Sequence, residues 1–147
     1  MGSGGQFLVG GAVSVINITI HALVMASVVG VARALASGSV ARGPTFLPLI
    51  MIGVVSILMA AHAVEVLVWA FAYSMLGAAP LGANPVYFAF VNYTTLGYGD
   101  VLPTKEWQLL GPITAMNGVL MFGWSTAVIF EVLRRSLEFD VSQSRPL

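Results

Sequence analysis

Three long apolar runs dominate this sequence, and each is long enough to cross a bilayer as a helix. The first extends from about Phe7 to Leu35, the second from about Phe46 to Leu76, and the third from about Trp107 to Leu133. A helix needs roughly 20 mostly apolar residues to span the hydrocarbon core. Because 58% of the residues are hydrophobic and only 8% are charged, the chain cannot cover a water-facing surface. We therefore predict an all-α integral membrane protein.

Segments rich in Gly, Pro and Ser separate these runs and predict breaks between helices. "SGSVARGP" follows the first run, and "GAAPLGANP" follows the second. The predicted organisation is a lead-in at 1–6, an N-terminal spanning helix at 7–35, a second unit at 46–133 and a cytoplasmic tail at 134–147. The first run lacks a basic start and a cleavage site, so we do not expect a signal peptide. We also expect no ligand-binding domain after the third run.

The basic residues predict the orientation of the chain in the membrane, since cytoplasmic ends carry an excess of Lys and Arg. With the N-terminus outside and the C-terminus inside, five of the six basic residues are cytoplasmic and Lys105 alone is outside. We expect the plasma membrane of a bacterium or archaeon. The five cytoplasmic residues are Arg33, Arg42, Arg134, Arg135 and Arg145.

Between the second and third runs lies the ten-residue apolar segment "VYFAFVNYTT". Asn84 before it is a favourable N-cap, and Pro85 suits the first turn of a helix. The segment is too short to span the membrane. It therefore predicts a re-entrant half-helix, which is tolerated at membrane depth only when it is buried in protein or lines water.

The segment "NYTTLGYGD" follows directly, and its glycines predict an unusual backbone. Gly97 and Gly99 can adopt angles that other residues avoid, so successive carbonyls can turn toward one side of an extended strand. The Thr95 hydroxyl adds a further oxygen. A cation that loses its water needs several oxygens at once, and four copies of such a strand around an axis would supply them.

"TTLGYGD" resembles the selectivity signature of tetrameric potassium channels. "YFAFVNYTTLGYGDVLP" is similar to their pore helix, filter and outer turn, and "NGVLMFGWSTA" resembles their inner helix. The resemblance implies a homotetramer in which the unit at 46–133 is the pore domain and potassium is the permeant ion. Asp100 would lie behind the outer mouth, and Gly118 would lie at the hinge-like position with Gly123 after it. These two glycines are either a gating hinge or small residues that allow helices to pack closely. The implied filter residues are Thr95, Leu96, Gly97, Tyr98 and Gly99, with potassium bound at the first four.

This chain departs from the family's pattern in three respects. Leu96 stands where valine is commoner. Tyr87, Phe88 and Val91 stand where simple bacterial channels often carry tryptophans and a glutamate, so the hydrogen bonds that brace the filter are expected to differ. The first span is extra to the two-helix pore plan, and it carries no arginine at every third position, which argues against a voltage sensor.

Ionisable residues inside the apolar runs are costly and are candidates for function. His62 and Glu65 share one helix face. Counting from the ends of the runs places His21 near the membrane midplane with His62, and Asn17 about one turn further out with Glu65. Three interpretations stay open. The residues form a hydrogen-bonded clasp between helices, a proton sensor, or a metal site built from two histidines and a carboxylate. In each of them, we expect the Glu65 carboxyl to be protonated or to be bonded by Asn17 or a histidine.

The predicted function is passive, selective potassium conduction. A non-selective cation channel, a non-conducting channel-like subunit and a small membrane metalloenzyme remain alternatives. We expect no enzymatic activity, because no pair of nucleophile and base is evident, and no cofactor apart from the permeant ion. The expected partners are further copies of the chain and membrane lipid. The net charge is zero, and no basic patch suggests a nucleic acid partner.

Overall fold

The structure is a computed structural model, which describes residues 2–37 and 45–143, and all regular structure in these ranges is helical. Three helices contain stretches long and apolar enough to cross a membrane: Ser3–Ala34, Phe46–Leu76 and Leu110–Leu137. The prediction of an all-helical membrane protein with three spans is therefore confirmed. The helices are α1 (Ser3–Ser37), α2 (Phe46–Leu76), α3 (Pro85–Tyr93) and α4 (Leu110–Gln143), with a 3₁₀ turn at Lys105–Trp107.

The bounds of two spanning helices differ from the sequence prediction. The first helix begins at Ser3 and so includes most of the predicted lead-in. The last helix begins at Leu110, because Pro112 lacks a backbone N–H and fits a helix only in its first turn. It continues to Gln143, beyond the predicted end at Leu133, since no Gly or Pro interrupts the sequence there. Most of the break "SGSVARGP", including Arg42, and also Arg145 lie outside the described residues.

Local capping defines the short helix α3. The Asn84 side chain accepts hydrogen bonds from the backbone N–H groups of Val86 and Tyr87, and Pro85 occupies the first turn as predicted. The preceding helix, α2, ends at Leu76 and is capped by Gly77, whose φ of 61° is the left-handed conformation that closes many helices. The predicted half-helix is therefore present, with its C-terminus at Tyr93 directly before the glycine-rich segment.

The core is divided into two clusters, and α1 contributes to both. One cluster surrounds α3 and contains a tilted aromatic pair in which the ring centroids of Tyr73 and Phe88 are 4.8 Å apart. The other lies at the opposite end, where Met25 and Val28 of α1 meet Leu58 and Val132. The N-terminal helix therefore packs along the rest of the chain as an integral part of the fold.

The start of α1 is attached to the start of α4. The buried Gln6 side chain accepts a hydrogen bond of 2.9 Å from the backbone N–H of Leu109. One turn later, Gly10 lies so close to Ile113 that a Cβ there would be 2.9 Å from the isoleucine side chain. This attachment holds α1 beside the segment that carries the candidate site.

Candidate functional site

The segment from Thr94 to Asp100 leaves α3 and is exposed along its whole length in the single chain. Its backbone alternates in the sign of φ. Thr95, Gly97 and Gly99 have φ values of 59°, 58° and 77°, whereas Leu96 and Tyr98 keep negative φ. Alternation of this kind lets successive carbonyls of an extended strand face one side. The geometry therefore agrees with the predicted use of the two glycines.

Thr95 was not predicted to share this conformation. A positive φ is uncommon for a β-branched residue and costs on the order of 1–3 kcal/mol. Two hydrogen bonds hold the turn: the N–H of Thr95 donates to the Asn92 carbonyl at 3.1 Å, and the N–H of Leu96 donates to the Val91 carbonyl at 3.0 Å. The sequence carries no signal for this conformation, because threonine normally avoids it.

A hydrogen bond braces the C-terminal end of the segment. The Tyr87 hydroxyl, in the first turn of α3, donates to Oδ2 of Asp100 at 2.7 Å. This bond to a carboxylate raises the pKa of Tyr87 above its ordinary value of 10.0. The sequence predicts that the hydrogen bonds around this segment differ from the family's usual pattern. In the structure, one such bond joins Tyr87 and Asp100.

The N-terminal end of the segment is held through Tyr93, the last residue of α3. Its hydroxyl donates a hydrogen bond to Oε2 of Glu65. Its carbonyl oxygen lies against Gly118, where an added Cβ would be only 2.0 Å away. Tyr93 is therefore fixed by its side chain to α2 and by its backbone to α4.

The two glycines of the predicted hinge have different surroundings. Gly118 allows α4 to approach the end of α3, which is the close-packing role of a small residue. A Cβ added at Gly123 would have no heavy atom of the described residues within 4 Å. Both glycines lie within the continuous helix α4. A gating role for either glycine stays a prediction.

The structure brings together three ionisable residues of the predicted polar cluster. Nδ1 of His21 is 2.8 Å from Oε1 of Glu65, and Nδ1 of His62 is 3.4 Å from Oε2. His21 and Glu65 are fully buried, and His62 is 15% exposed. The contact between the first and second helices that the sequence predicted is therefore present, and a histidine bonds the carboxylate.

Two residues of this cluster were missed by sequence reasoning. The Tyr93 hydroxyl lies 3.0 Å from Nδ1 of His62 in addition to its bond with Glu65. The Ser125 hydroxyl of α4 lies 3.0 Å from Nε2 of His62 and 3.4 Å from Nε2 of His21. Ser125 is a polar residue inside an apolar run, which could have identified it, but Tyr93 has no such signal.

Asn17 belongs to an adjoining polar group. Its amide donates to the backbone carbonyl of Glu65 at 3.3 Å and to Oδ1 of Asn117 at 3.1 Å. Trp69 donates to the same Oδ1 at 3.0 Å. Asn17 thus bonds the backbone of Glu65, whereas the alternative in which it bonds the carboxylate is wrong. These contacts join α1, α2 and α4 at the level of the cluster.

The cluster has ligand atoms suitable for a metal ion. One atom each of His21, His62 and Glu65 lie within 4.8 Å of one another. All four ring nitrogens, however, face the Glu65 carboxylate or the hydroxyl of Tyr93 or Ser125. Hydrogen bonds therefore account for this geometry, and they form a clasp that joins all four helices.

Comparison with known proteins identifies the region that contains these features. A family model described as "Ion channel" matches residues 61–135, which extend from the middle of α2 through α3 and the glycine-rich segment into α4. No curated protein and no solved structure matches the chain. The matched region covers just over half of the 147 residues. The matched region includes the clasp residues of α2 and α4. The chain belongs to this ion channel family.

Proposed function

We propose that this protein is a potassium-selective channel, in which four copies place the segment from Thr95 to Gly99 around a central ion path. The alternation of φ at Thr95, Gly97 and Gly99 is the observation that carries the proposal. It allows the carbonyl oxygens of one short strand to face a common side. Rings of such oxygens replace the hydration shell of a potassium ion.

The exposure of apolar side chains near this segment supports assembly. Phe90 of α3, Leu96 and Met116 of α4 are 44%, 49% and 59% exposed in the single chain. A polar backbone segment is stable at membrane depth only when protein or water surrounds it. Further copies of the chain would cover these side chains and leave the carbonyl side facing the axis.

The direction of α3 supports a cation as the permeant species. The C-terminus of a helix carries a partial negative charge from its unpaired carbonyls. Here this end lies at Tyr93, two residues before Thr95, the first residue of the proposed filter. A cation below the filter would therefore be favoured over an anion.

Packing supports the proposed orientation, with the two termini on opposite faces of the membrane. The end of α1, the start of α2 and the end of α4 meet in one core cluster. Arg33 of α1 and Arg134 and Arg135 of α4 follow this cluster, so they lie toward the same side. The positive-inside rule makes that side cytoplasmic and leaves Asp100 outside.

The test uses a pair of glycines with the same backbone conformation. Gly97→Ala is expected to abolish potassium flux from purified protein in liposomes while the tetramer stays assembled, because a Cβ opposes positive φ in the filter. Gly77→Ala is the matched control, since Gly77 has a φ of 61° in the turn after α2. Normal selective potassium currents in Gly97→Ala would contradict the filter assignment.

The permeability ratio of potassium to sodium distinguishes the proposed function from its alternatives. A ratio near one in the wild-type protein would indicate a non-selective cation channel. The absence of flux from correctly assembled wild-type protein would indicate a non-conducting subunit. A strongly potassium-selective ratio is the expected result.

A further inference from the structure

We propose that His21, His62 and Glu65 form a buried proton-binding site, and that the bound proton holds Tyr93 in position below the filter. The site would keep one proton more than two neutral histidines and an ionised carboxylate carry. The consequence for conduction rests on the proposed channel function. The binding of the proton rests on the side-chain geometry alone.

Five polar contacts make up the cluster. His21 contacts Glu65 through Nδ1 and Ser125 through Nε2. His62 faces the Tyr93 hydroxyl and Glu65 through Nδ1, which we count as one shared contact, and it contacts Ser125 through Nε2. The fifth contact joins the Tyr93 hydroxyl to Glu65. Each contact needs one hydrogen between its two heavy atoms.

The ordinary protonation states leave this cluster one proton short. A neutral histidine carries one ring proton, so His21 and His62 supply two. The hydroxyls of Tyr93 and Ser125 supply one each, which brings the total to four for five contacts. One contact would then join two lone pairs in a site where His21 and Glu65 have no exposed surface. A buried contact of this kind is costly.

One additional proton completes the network wherever it resides. If one histidine becomes an imidazolium, its Nδ1–H donates toward Glu65, directly for His21 and through the contact shared with the Tyr93 hydroxyl for His62. Its Nε2–H donates to the Ser125 hydroxyl, which in turn donates to the other histidine. If the Glu65 carboxyl is protonated, it donates to His21. In every case the five contacts have five protons and the cluster has no net charge. Neutrality is the state that the membrane interior favours.

Tyr93 connects this proton to the filter. Its hydroxyl is bonded within the cluster, and its backbone lies two residues before Thr95, the first residue of the filter. Gly118 confines the carbonyl of Tyr93, so the residue has little freedom to move on its own. We therefore assign Tyr93 as a positioning residue, whose hydroxyl transmits the protonation state of the cluster to the inner end of the filter.

The direction of the pH effect follows from the proton count. The network is complete when the extra proton is bound, so the filter is braced at low pH and loses this brace as the pH rises and the proton leaves. The groups facing the site are His21 of α1, His62 and Glu65 of α2, Tyr93 of α3 and the hydroxyl of Ser125 on α4. Glu131, Arg134 and Arg135 start about 9 Å further along α4 and bond to one another.

Spectroscopy tests the proton site without reference to conduction. Full-length protein with ¹⁵N-labelled histidine in lipid vesicles is studied by NMR, and the carboxyl stretch is followed by infrared difference spectroscopy against Glu65→Gln. The expected result near neutral pH is one imidazolium or one protonated carboxyl group per chain. Two neutral histidines with an ionised Glu65, or one zinc ion per chain by elemental analysis, would overturn the proposal.

Flux measurements then test the coupling to the filter. Between about pH 5 and 9, potassium flux of the wild type is expected to fall by roughly fivefold, the equilibrium effect of one net hydrogen bond. Glu65→Gln supplies a neutral amide with its own protons, so this dependence should disappear. Tyr93→Phe should also remove it but leave the proton signature intact. Glu131→Gln, the matched carboxyl control on α4, should keep the wild-type profile.

The outcomes separate this inference from the proposed function. A selective potassium channel without the additional proton would refute only the proton site. A protein that carries the proton but does not select potassium would refute only the channel assignment. A Tyr93→Phe variant with the wild-type pH profile would refute the positioning role of Tyr93.

Discussion

Substitution of Gly118 by alanine should be strongly destabilising, because α4 and the end of α3 touch at this residue. An alanine Cβ would lie 2.0 Å from the Tyr93 carbonyl oxygen and 2.9 Å from its carbonyl carbon. Real contacts of a Cβ essentially never fall below 3.0 Å, so the backbones must separate by at least about 1.0 Å. A backbone carbonyl cannot rotate away as a side chain can. Overpacking of this kind typically costs about 1–3 kcal/mol, and the rigidity of the partner places Gly118→Ala near the upper value.

Gly123→Ala provides the control for this measurement. Both glycines lie in the interior of α4, and both substitutions gain about 1 kcal/mol in intrinsic helix propensity. Within the part of the chain that the structure describes, a Cβ at Gly123 meets no heavy atom within 4 Å. The difference between the two variants therefore isolates the contact with Tyr93, which we expect to be about 2–3 kcal/mol in the free energy of unfolding.

The assay is reversible unfolding of the purified protein in mixed detergent micelles, followed by intrinsic tryptophan fluorescence, to which the buried Trp69 contributes, and by loss of the proposed tetramer. Potassium flux of the same samples is measured in liposomes, and Gly118→Ala should reduce it because Tyr93 lies two residues before Thr95, the first residue of the proposed filter. Equal stability of the two variants would refute the close approach of α3 and α4. Altered gating in Gly118→Ala at unchanged stability would instead support the hinge that the sequence suggested.

Three further predictions concern the filter and the attachment of α1. Tyr87→Phe removes the bond to Asp100 and should weaken selectivity by roughly fivefold in the permeability ratio. The bond raises the pKa of Tyr87 above 10.0. The contribution of the bond to selectivity is therefore complete below pH 10.0 and is lost only as the pH rises through the higher pKa of the folded protein. A change in the Tyr87-dependent selectivity between about pH 6 and 9 would contradict this. External barium should block the channel, since its double charge binds carbonyl rings more tightly than potassium does; unblocked flux at about millimolar barium would argue against a dehydrating filter. Gln6→Ala leaves the N–H of Leu109 without its acceptor and should cost about 1 kcal/mol in the same unfolding assay, whereas unchanged stability would show that α1 is held by packing alone.

Much of the architecture could be predicted from the sequence because it depends on local properties. The length and hydropathy of the apolar runs determine three spanning helices. Asn84 and Pro85 determine the start of α3, since capping involves only neighbouring residues. The end of α4 differs from the prediction, because the charged residues of the polar tail are good helix formers and continue the helix to Gln143.

The contact between His21 and Glu65 could be predicted from the sequence only in part. The cost of ionisable groups in a membrane indicates that they need partners, and so it predicts that such residues on neighbouring helices meet. The prediction therefore needed only the depth of each residue in its span. The identity of the remaining partners could not be derived in this way.

The tertiary structure decided how the candidate site is built. Tyr93 bonds a carboxylate 28 residues earlier in the chain, and Ser125 contacts a histidine 104 residues away. The positive φ of Thr95 contradicts the preference of threonine and is maintained by hydrogen bonds to the end of α3. The close approach at Gly118 likewise depends on where α3 ends in space. Hydropathy places each helix at a depth in the membrane, but the rotation of each helix about its axis determines which polar groups meet, and packing against the other helices sets that rotation.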